Sequence, residues 1–560
     1  MLCGAKVNKV WILIVFTCAL LLYTVLFYDT SAVDWRKYVP SRPATPAPST
    51  TIPDETGTVP AQEVPQSTKD VSPIHDADSV PEDPIKNTIL HLPSDYLVPD
   101  KDDEWCESFY GPRYLEHIAE HHIQYCESGS SRSSLECFRT HANDELCLAR
   151  GVRYDPAAPA PLKATTLDCQ VRNFTLERSK SAELALELKD VKEIDDFGSY
   201  FFGTGAGPQL KKWEIAPAQA QVQGAECTAN RNDGKYYLLV QREGNVNIWH
   251  NLMEIWQAMI TIDALQMSVD ASTGSAYLAP AAIKDIEVVL ESEKTGPVWD
   301  LWGMITGKPP IIRSSLPASC LGNVILPLAG SSSPFWQAHW DAKDCKNTFI
   351  LDAFLRRIYR HLDIQPKQRL TEETVVTIID RKSSRRILNL DEKIKGLQAR
   401  YPSVRFQAVD FSTISLREQI LTMRGTDVLV GVIGAGMTHL MFLPRESSVA
   451  EIIPPKIGYE GFRNLAKMRG LQYYTTHGES EEEWMKHSPL PEKQQDDDAL
   501  KSKGAGEVTK KVRARGWQKD EWIYLTDEEF QLLVDAAING QLNRGLRNVD
   551  VTPQDVKGSA

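Results

Sequence analysis

The chain has 560 residues, 24% of them charged and 42% hydrophobic, with a formal net charge of −13. This is ordinary globular composition, and at roughly 100–200 residues per domain the length holds two cores plus tails. The acidic balance excludes wholesale nucleic-acid binding, which wants a basic face, but leaves room for an anionic ligand held by a few arginines.

In chain order, a short tail (1–9) carrying Lys6 and Lys9 leads into nineteen uncharged residues at 10–28, VWILIVFTCALLLYTVLFY. At ~1.5 Å per residue, such a helix nearly matches the ~30 Å hydrocarbon core of a bilayer. It is longer than the ~7–15 residues of a signal-peptide core. Lysines before it and Asp29 and Asp34 after it put the N-terminus in the cytosol. The sequence therefore predicts a single-pass type II membrane protein of the endoplasmic reticulum or Golgi, lumenal beyond the anchor. In that oxidising compartment the even set Cys106, Cys126, Cys137, Cys147, Cys169, Cys227, Cys320 and Cys345 predicts disulfides whose pairing the spacing does not fix. Two CxxC knuckles for structural zinc are lacking. Asn173-Phe174-Thr175 is a sequon, so Asn173 is a candidate glycosylation site.

Residues 29–104 read as a disordered stalk, with twelve prolines between 30 and 100 and no apolar periodicity. A Cys-containing α/β region follows at 105–340. Within it we expect a helical stretch to about residue 150, a proline-rich hinge at 156–161, strands at 235–241 (KYYLLVQ) and 285–292 (DIEVVLES), and a strong helix between them at 247–267. The SSSPFW stretch at 331–336 reads as a boundary. Residues 341–478 alternate most clearly: helix 352–362, strand 375–380, helix 391–401, strand 405–411, helix 415–425, and strands 427–432 and 448–453. That is the pattern of a doubly wound βαβ domain. A charged insertion (479–519) precedes a C-terminal segment (520–560), whose helix at 526–542 has Thr526 as N-cap and acids in its first turn.

Two clusters carry candidate chemistry. After the strand at 427–432 comes Gly434-Ala435-Gly436, then a short helix at 437–443 containing Thr438 and His439, then a strand carrying Glu451. Glycines admit close approach of a ligand, and a helix N-terminus offers unpaired N–H groups to a phosphate. After the strand at 375–380 comes Asp380-Arg381-Lys382-Ser383-Ser384-Arg385-Arg386, four cations in seven residues and a fit for a diphosphate. His250 and Glu254 stand at i and i+4, on one face of the 247–267 helix, as candidates for an acid–base role. Trp249, Met253 and Trp256 on that helix read as core.

The segments IIDRKSSRRILN, RGTDVLVGVIGAGMTHLMFLPRESSVAEII and FRNLAKMRGLQYY resemble glycosyltransferase family 61, most nearly its branch acting on EGF-like domains. GNVNIWHNLMEIW and CESFYGPRYLEHIAEHH extend the similarity, which runs over roughly 105–478 and 520–545. The resemblance implies an α/β protein of GT-B type, with two Rossmann-like domains facing a cleft and a last helix crossing back. It implies inverting transfer of N-acetylglucosamine from UDP to a Ser or Thr hydroxyl of a secretory-pathway protein, or of another sugar such as xylose. Arg381, Arg386, Gly434, Ala435, Gly436, Thr438, His439 and Glu451 would then hold the donor, Asn247 and Asp300 would line the acceptor cleft, and His250 and Glu254 would be catalytic. The expected partners are a UDP-sugar, a protein acceptor and the membrane, with no nucleic acid. Ile433 stands where the family usually has histidine, and Gly307-Lys308-Pro309 aligns with the acidic tripeptide of the animal members. Manganese use is therefore left open, and no metal ligands are assigned.

Overall fold

The computed structural model describes residues 89–479, 484–486 and 522–543, less short stretches at 98–101, 130, 159–162, 218–226, 228–233, 245, 292, 317–318, 338–340, 347–348, 366–372 and 456. The expected anchor, nearly all of the stalk and most of the charged insertion lie outside the described residues. Among those described, no helix is long and apolar enough to cross a membrane.

Two helices open the described region, α1 (Glu104–Tyr110), N-capped by Asp103, and α2 (Pro112–Glu120), with proline at its first position, where the missing N–H costs nothing. Strands β1 (His122–Gln124), β2 (Ser134–Arg139), β3 (Glu145–Tyr154), β4 (Thr165–Asp168) and β5 (Glu214–Ala216) follow. The helical stretch expected to residue 150 thus ends at 120, and an antiparallel array replaces it. The strand period is hidden because β2 and β3 are buried on both faces.

Next come β6 (Tyr236–Val240), α3 (Ile248–Met267), β7 (Ile286–Leu290), β8 (Ile311–Ile312) and β9 (Ser319–Leu326). β9, β6, β7 and β8 run parallel in that order, and β9 also pairs antiparallel with β3 to complete a nine-stranded sheet. α3 buries every residue except His250 and Gln266. A helix apolar nearly all round belongs in a core, and Trp249, Met253 and Trp256 are there as expected.

The third part holds α4 (Phe349–His361), β10 (Thr374–Ile379), α5 (Leu390–Arg400), β11 (Val404–Val409), α6 (Leu416–Arg424), β12 (Val428–Val432), β13 (Ser448–Ile453), α7 (Gly461–Met468), β14 (Gln472–His477) and α8 (Asp527–Leu542). Five strands form a wholly parallel sheet in the order β11-β10-β12-β13-β14. Each helix and strand expected between 352 and 453 is present within two or three residues at its ends, except that 435–442 is a 3-10 helix. Thr526 caps α8 in a reciprocal box with Glu529, as its sequence position implies. α8 packs on β12, β13 and β14 of the five-stranded sheet.

All eight cysteines beyond the N-terminal segment are paired: Cys106–Cys345, Cys126–Cys169, Cys137–Cys147 and Cys227–Cys320. The stretch at 331–336, where a boundary is expected, lies inside the fold. Ser331, Ser332, Ser333, Phe335 and Trp336 are buried, and Ser332 Oγ accepts a 3.0 Å bond from Gln257 of α3. Both sheets belong to one compact unit.

Candidate functional site

Open α/β sheets bind ligands beyond the C-terminal ends of their strands, at the point where strand order reverses. In the five-stranded sheet the chain leaves β10 for β11 on one side and returns through β12 on the other, so that point lies between β10 and β12. Arg381 stands just past β10, where its Nε donates to the Ser384 carbonyl at 2.7 Å and its Nη2 to Ser384 Oγ at 3.2 Å. It forms no ion pair among the described residues. Arg385, in left-handed backbone (φ +55°), donates from Nη1 to the Ile433 carbonyl at 2.7 Å.

The glycine turn sits against these two side chains. A Cβ on Gly434 (φ +141°) would lie 2.6 Å from Arg385 Nη1, and one on Gly436 would lie 3.9 Å from Arg381 Nη1. Burial lowers the basicity of Arg381, and burial followed by the Arg381 charge brings Arg385 down to about 10. Two half-buried guanidinium groups thus stand against a half-buried glycine turn, a local positive charge suited to an anion. Ile433 itself is buried, and its backbone carbonyl is what meets Arg385.

Other expected donor contacts are placed differently. Gly434, Ala435 and Gly436 are half-buried, whereas Thr438 and His439 are buried. His439 Nδ1 lies 2.8 Å from the Gly436 carbonyl and Nε2 lies 2.7 Å from Gln419 Oε1, with the ring stacked on Phe411. Both nitrogens are used within the fold, and burial lowers the imidazole to about 4. His439 fastens the 3-10 helix to α6. Arg386 Cζ lies over the Trp522 ring, 3.5 Å from its centroid, while Arg385 is the residue beside Gly434. Glu451 on β13 is fully buried and accepts from the Tyr473 hydroxyl at 2.6 Å, with Oε1 unpartnered. Burial raises it to about 8, so it holds a proton at neutral pH.

The nine-stranded sheet has its own reversal between β6 and β9. Arg242 and Glu243 follow β6, and Gly330 and Ser331 follow β9. Ser331 donates to Glu243 Oε1 from its N–H at 2.9 Å and its hydroxyl at 2.7 Å, with Thr204 Oγ1 at 3.1 Å. The other carboxylate oxygen lies 3.4 Å from His250 Nδ1. Trp336 meets the imidazole edge-on at 4.3 Å, with Phe201 and Phe202 beyond. Glu254 is directed elsewhere. Its Oε1 accepts the Glu243 N–H, Gly330 packs over its stem, and burial raises its carboxyl well above the usual range. It forms a buried wall beside the site, and i,i+4 spacing alone suggested a closer partnership with His250. Glu243 was missed, although its place just past a parallel strand was a usable signal.

Asn247 caps α3, its Oδ1 accepting the Trp249 N–H at 3.0 Å, and so shapes the helix end that presents His250. Asp300 is exposed, and its carbonyl accepts from His361 Nε2 at 3.1 Å. Asn173 is exposed and caps a short helix through Oδ1. For metal, the described residues bring together one set of three possible ligands, Asp102, Cys106 and Cys345, and its two sulfurs are bonded to each other. The aligned Gly307-Lys308-Pro309 contains no carboxylate, so these residues do not fit a resident cation.

The two reversal points are joined through packed elements. α3 packs against the 3-10 helix that follows the glycine turn, and Trp249 meets Trp336 and Phe462 of α7 at 6.2 and 6.0 Å.

Residues 248–450 match the family described as Glycosyltransferase 61. An "EGF domain-specific O-linked N-acetylglucosamine transferase" of Drosophila melanogaster is 24% identical over 281 residues, 48% of this chain and 50% of the relative. Proteins of the same description from Xenopus laevis and Mus musculus are 32% and 31% identical over 134 residues, 23% of this chain and 25% of each relative. The chain thus spans about half of the fly protein and a quarter of the vertebrate ones. From the helix that presents His250 to the strand that carries Glu451, the resemblance of this chain to glycosyltransferase family 61 is shown.

Proposed function

We propose that this chain is an inverting glycosyltransferase of GT-B type, moving N-acetylglucosamine from UDP-GlcNAc to Ser or Thr hydroxyls of secretory-pathway proteins, EGF-like domains among them. The observation that carries the reading is the pair Arg381 and Arg385 against the half-buried turn at Gly434–Gly436, at the reversal of a parallel sheet within the matched region. As the anomeric bond breaks, charge develops on the leaving UDP, and fixed guanidinium groups with backbone N–H donors at a helix start stabilise it. Four disulfides among the described residues suit the lumen of the secretory pathway, and a helix at 10–28 would hold the protein there as a type II membrane protein. Exposed Asn173 would then be open to glycosylation.

The test is a hydrolysis and transfer screen of the full chain against UDP-GlcNAc and UDP-xylose, with and without manganese. Turnover of UDP-GlcNAc is expected, and it is expected to persist in chelator. Turnover of UDP-xylose alone would change the donor, and no turnover together with no UDP binding would make the chain a non-catalytic lumenal binder.

A further inference from the structure

We infer that Glu243 is the positioning residue that makes His250 the general base for the acceptor hydroxyl. The inference rests on the glycosyl-transfer reading and concerns the nine-stranded sheet's side of the site. Glu243 is 2% exposed, and its Oε1 is held by the backbone and hydroxyl of Ser331 and by Thr204. That fixes the direction of Oε2, which faces His250 Nδ1 at 3.4 Å. Neither of those atoms has a hydrogen-bond partner among the described residues, and both are buried. The distance exceeds that of a formed hydrogen bond, as is common where catalytic contacts tighten only around substrate.

The rest of the ring is partly open. His250 is one of only two residues of α3 that escape burial, and its side chain is 17% exposed although Nδ1 is covered. With a proton on Nδ1 directed at Glu243, Nε2 carries the lone pair. Phe201 (55% exposed) and Phe202 (75% exposed) form an apolar rim beside it. The other charged groups facing this pair are Arg242 and Glu254. Arg242 Nε lies 4.0 Å from Glu254 Oε2, and Glu254 Oε1 accepts the Glu243 N–H, so both are engaged away from the imidazole. Glu243 is therefore the carboxylate aimed at the imidazole.

In the step, Nε2 takes the hydroxyl proton as the acceptor oxygen bonds to the anomeric carbon. The bond from that carbon to the diphosphate oxygen breaks, and UDP leaves with its electron pair. Glu243 stabilises the imidazolium that forms, which then gives its proton to solvent. Removing the Glu243 charge makes the imidazolium less stable, so the acid limb of the rate profile moves to lower pH while the plateau falls.

The experiment measures UDP-GlcNAc transfer to an EGF-like domain by the full chain in wild type, Glu243→Gln, Glu243→Asp and His250→Ala, alongside UDP affinity and thermal melting. Glu243→Gln can keep the Ser331 bonds through its amide oxygen. It is expected to lose about 100-fold in kcat, with KM for UDP-GlcNAc and UDP affinity within about twofold and the acid limb displaced to lower pH. Glu243→Asp is expected to recover part of the rate. A folded Glu243→Gln with wild-type kcat or an unmoved pH profile overturns the inference. So does a loss that appears equally in UDP affinity or melting, which marks a structural role. A wild type with no turnover overturns the transfer reading itself, and is distinguishable because no variant is then needed to see it.

Discussion

Glu451 and His439 illustrate how little a residue's place in a motif says about where its side chain points. Both stand in the segment that resembles the family, and both are turned into the protein. Glu451 has a measurable consequence. Its carboxyl rises from the usual 4.5 to about 8 through burial, so the folded state holds a proton that the unfolded chain releases. Its contribution makes the fold less stable as pH rises from about 4.5 to about 8, and the loss is complete above that window. Glu451→Gln keeps an acceptor for Tyr473 and removes the titration. Denaturant unfolding is expected to show the variant more stable than wild type by on the order of 1–3 kcal/mol at pH 8.5, with the difference closing towards pH 4.5. The motif exposed none of this, because whether a strand residue faces ligand or core is decided by what packs on the sheet. The exchange of Arg386 for Arg385 has the same origin. Arg385 takes a left-handed backbone that aims it at Gly434, whereas Arg386 enters a short strand beside Trp522.

Among elements, those with a clean period were legible. α4 to β13 alternate because amphipathic helices cover a parallel sheet, and the β11-β10-β12-β13-β14 order then fixes where a ligand crevice must lie. The antiparallel strands β1 to β4 were not legible, since burial of β2 and β3 on both faces erases the alternation and a disulfide links them directly. The same crevice rule, applied to the end of β6, would have pointed to Arg242 and Glu243. Two predictions belong at this scale. Gly434→Ala adds a methyl where φ is +141° and where Arg385 Nη1 would be 2.6 Å away. Calorimetry is expected to show at least about a tenfold weaker UDP complex, with a stability loss of about 1–3 kcal/mol. Thr526→Ala breaks the capping box of α8, and chemical unfolding is expected to register a loss of about 1 kcal/mol with UDP affinity unchanged.

At the scale of the whole molecule, a covalent link and the packing of α3 are among the contacts that hold the two sheets to each other. Cys106–Cys345 joins α1 to the segment before α4 across 239 residues. Replacing both cysteines by alanine frees that loop in the unfolded chain, with an expected loss of about 3–5 kcal/mol on denaturation. The packed element is α3, whose N-terminal turn presents His250 to one crevice and whose side packs on the 3-10 helix leaving the other. An acidic chain can in this way hold an anion, because the net charge of −13 is spread over the molecule while Arg381 and Arg385 are local. The measurement that tests this most directly is UDP-GlcNAc turnover by the full chain with Arg381→Ala beside wild type. Wild type is expected to release UDP, and the folded variant to lose turnover and UDP binding together. Full activity in the folded Arg381→Ala protein would contradict the assignment of the crevice as the donor site.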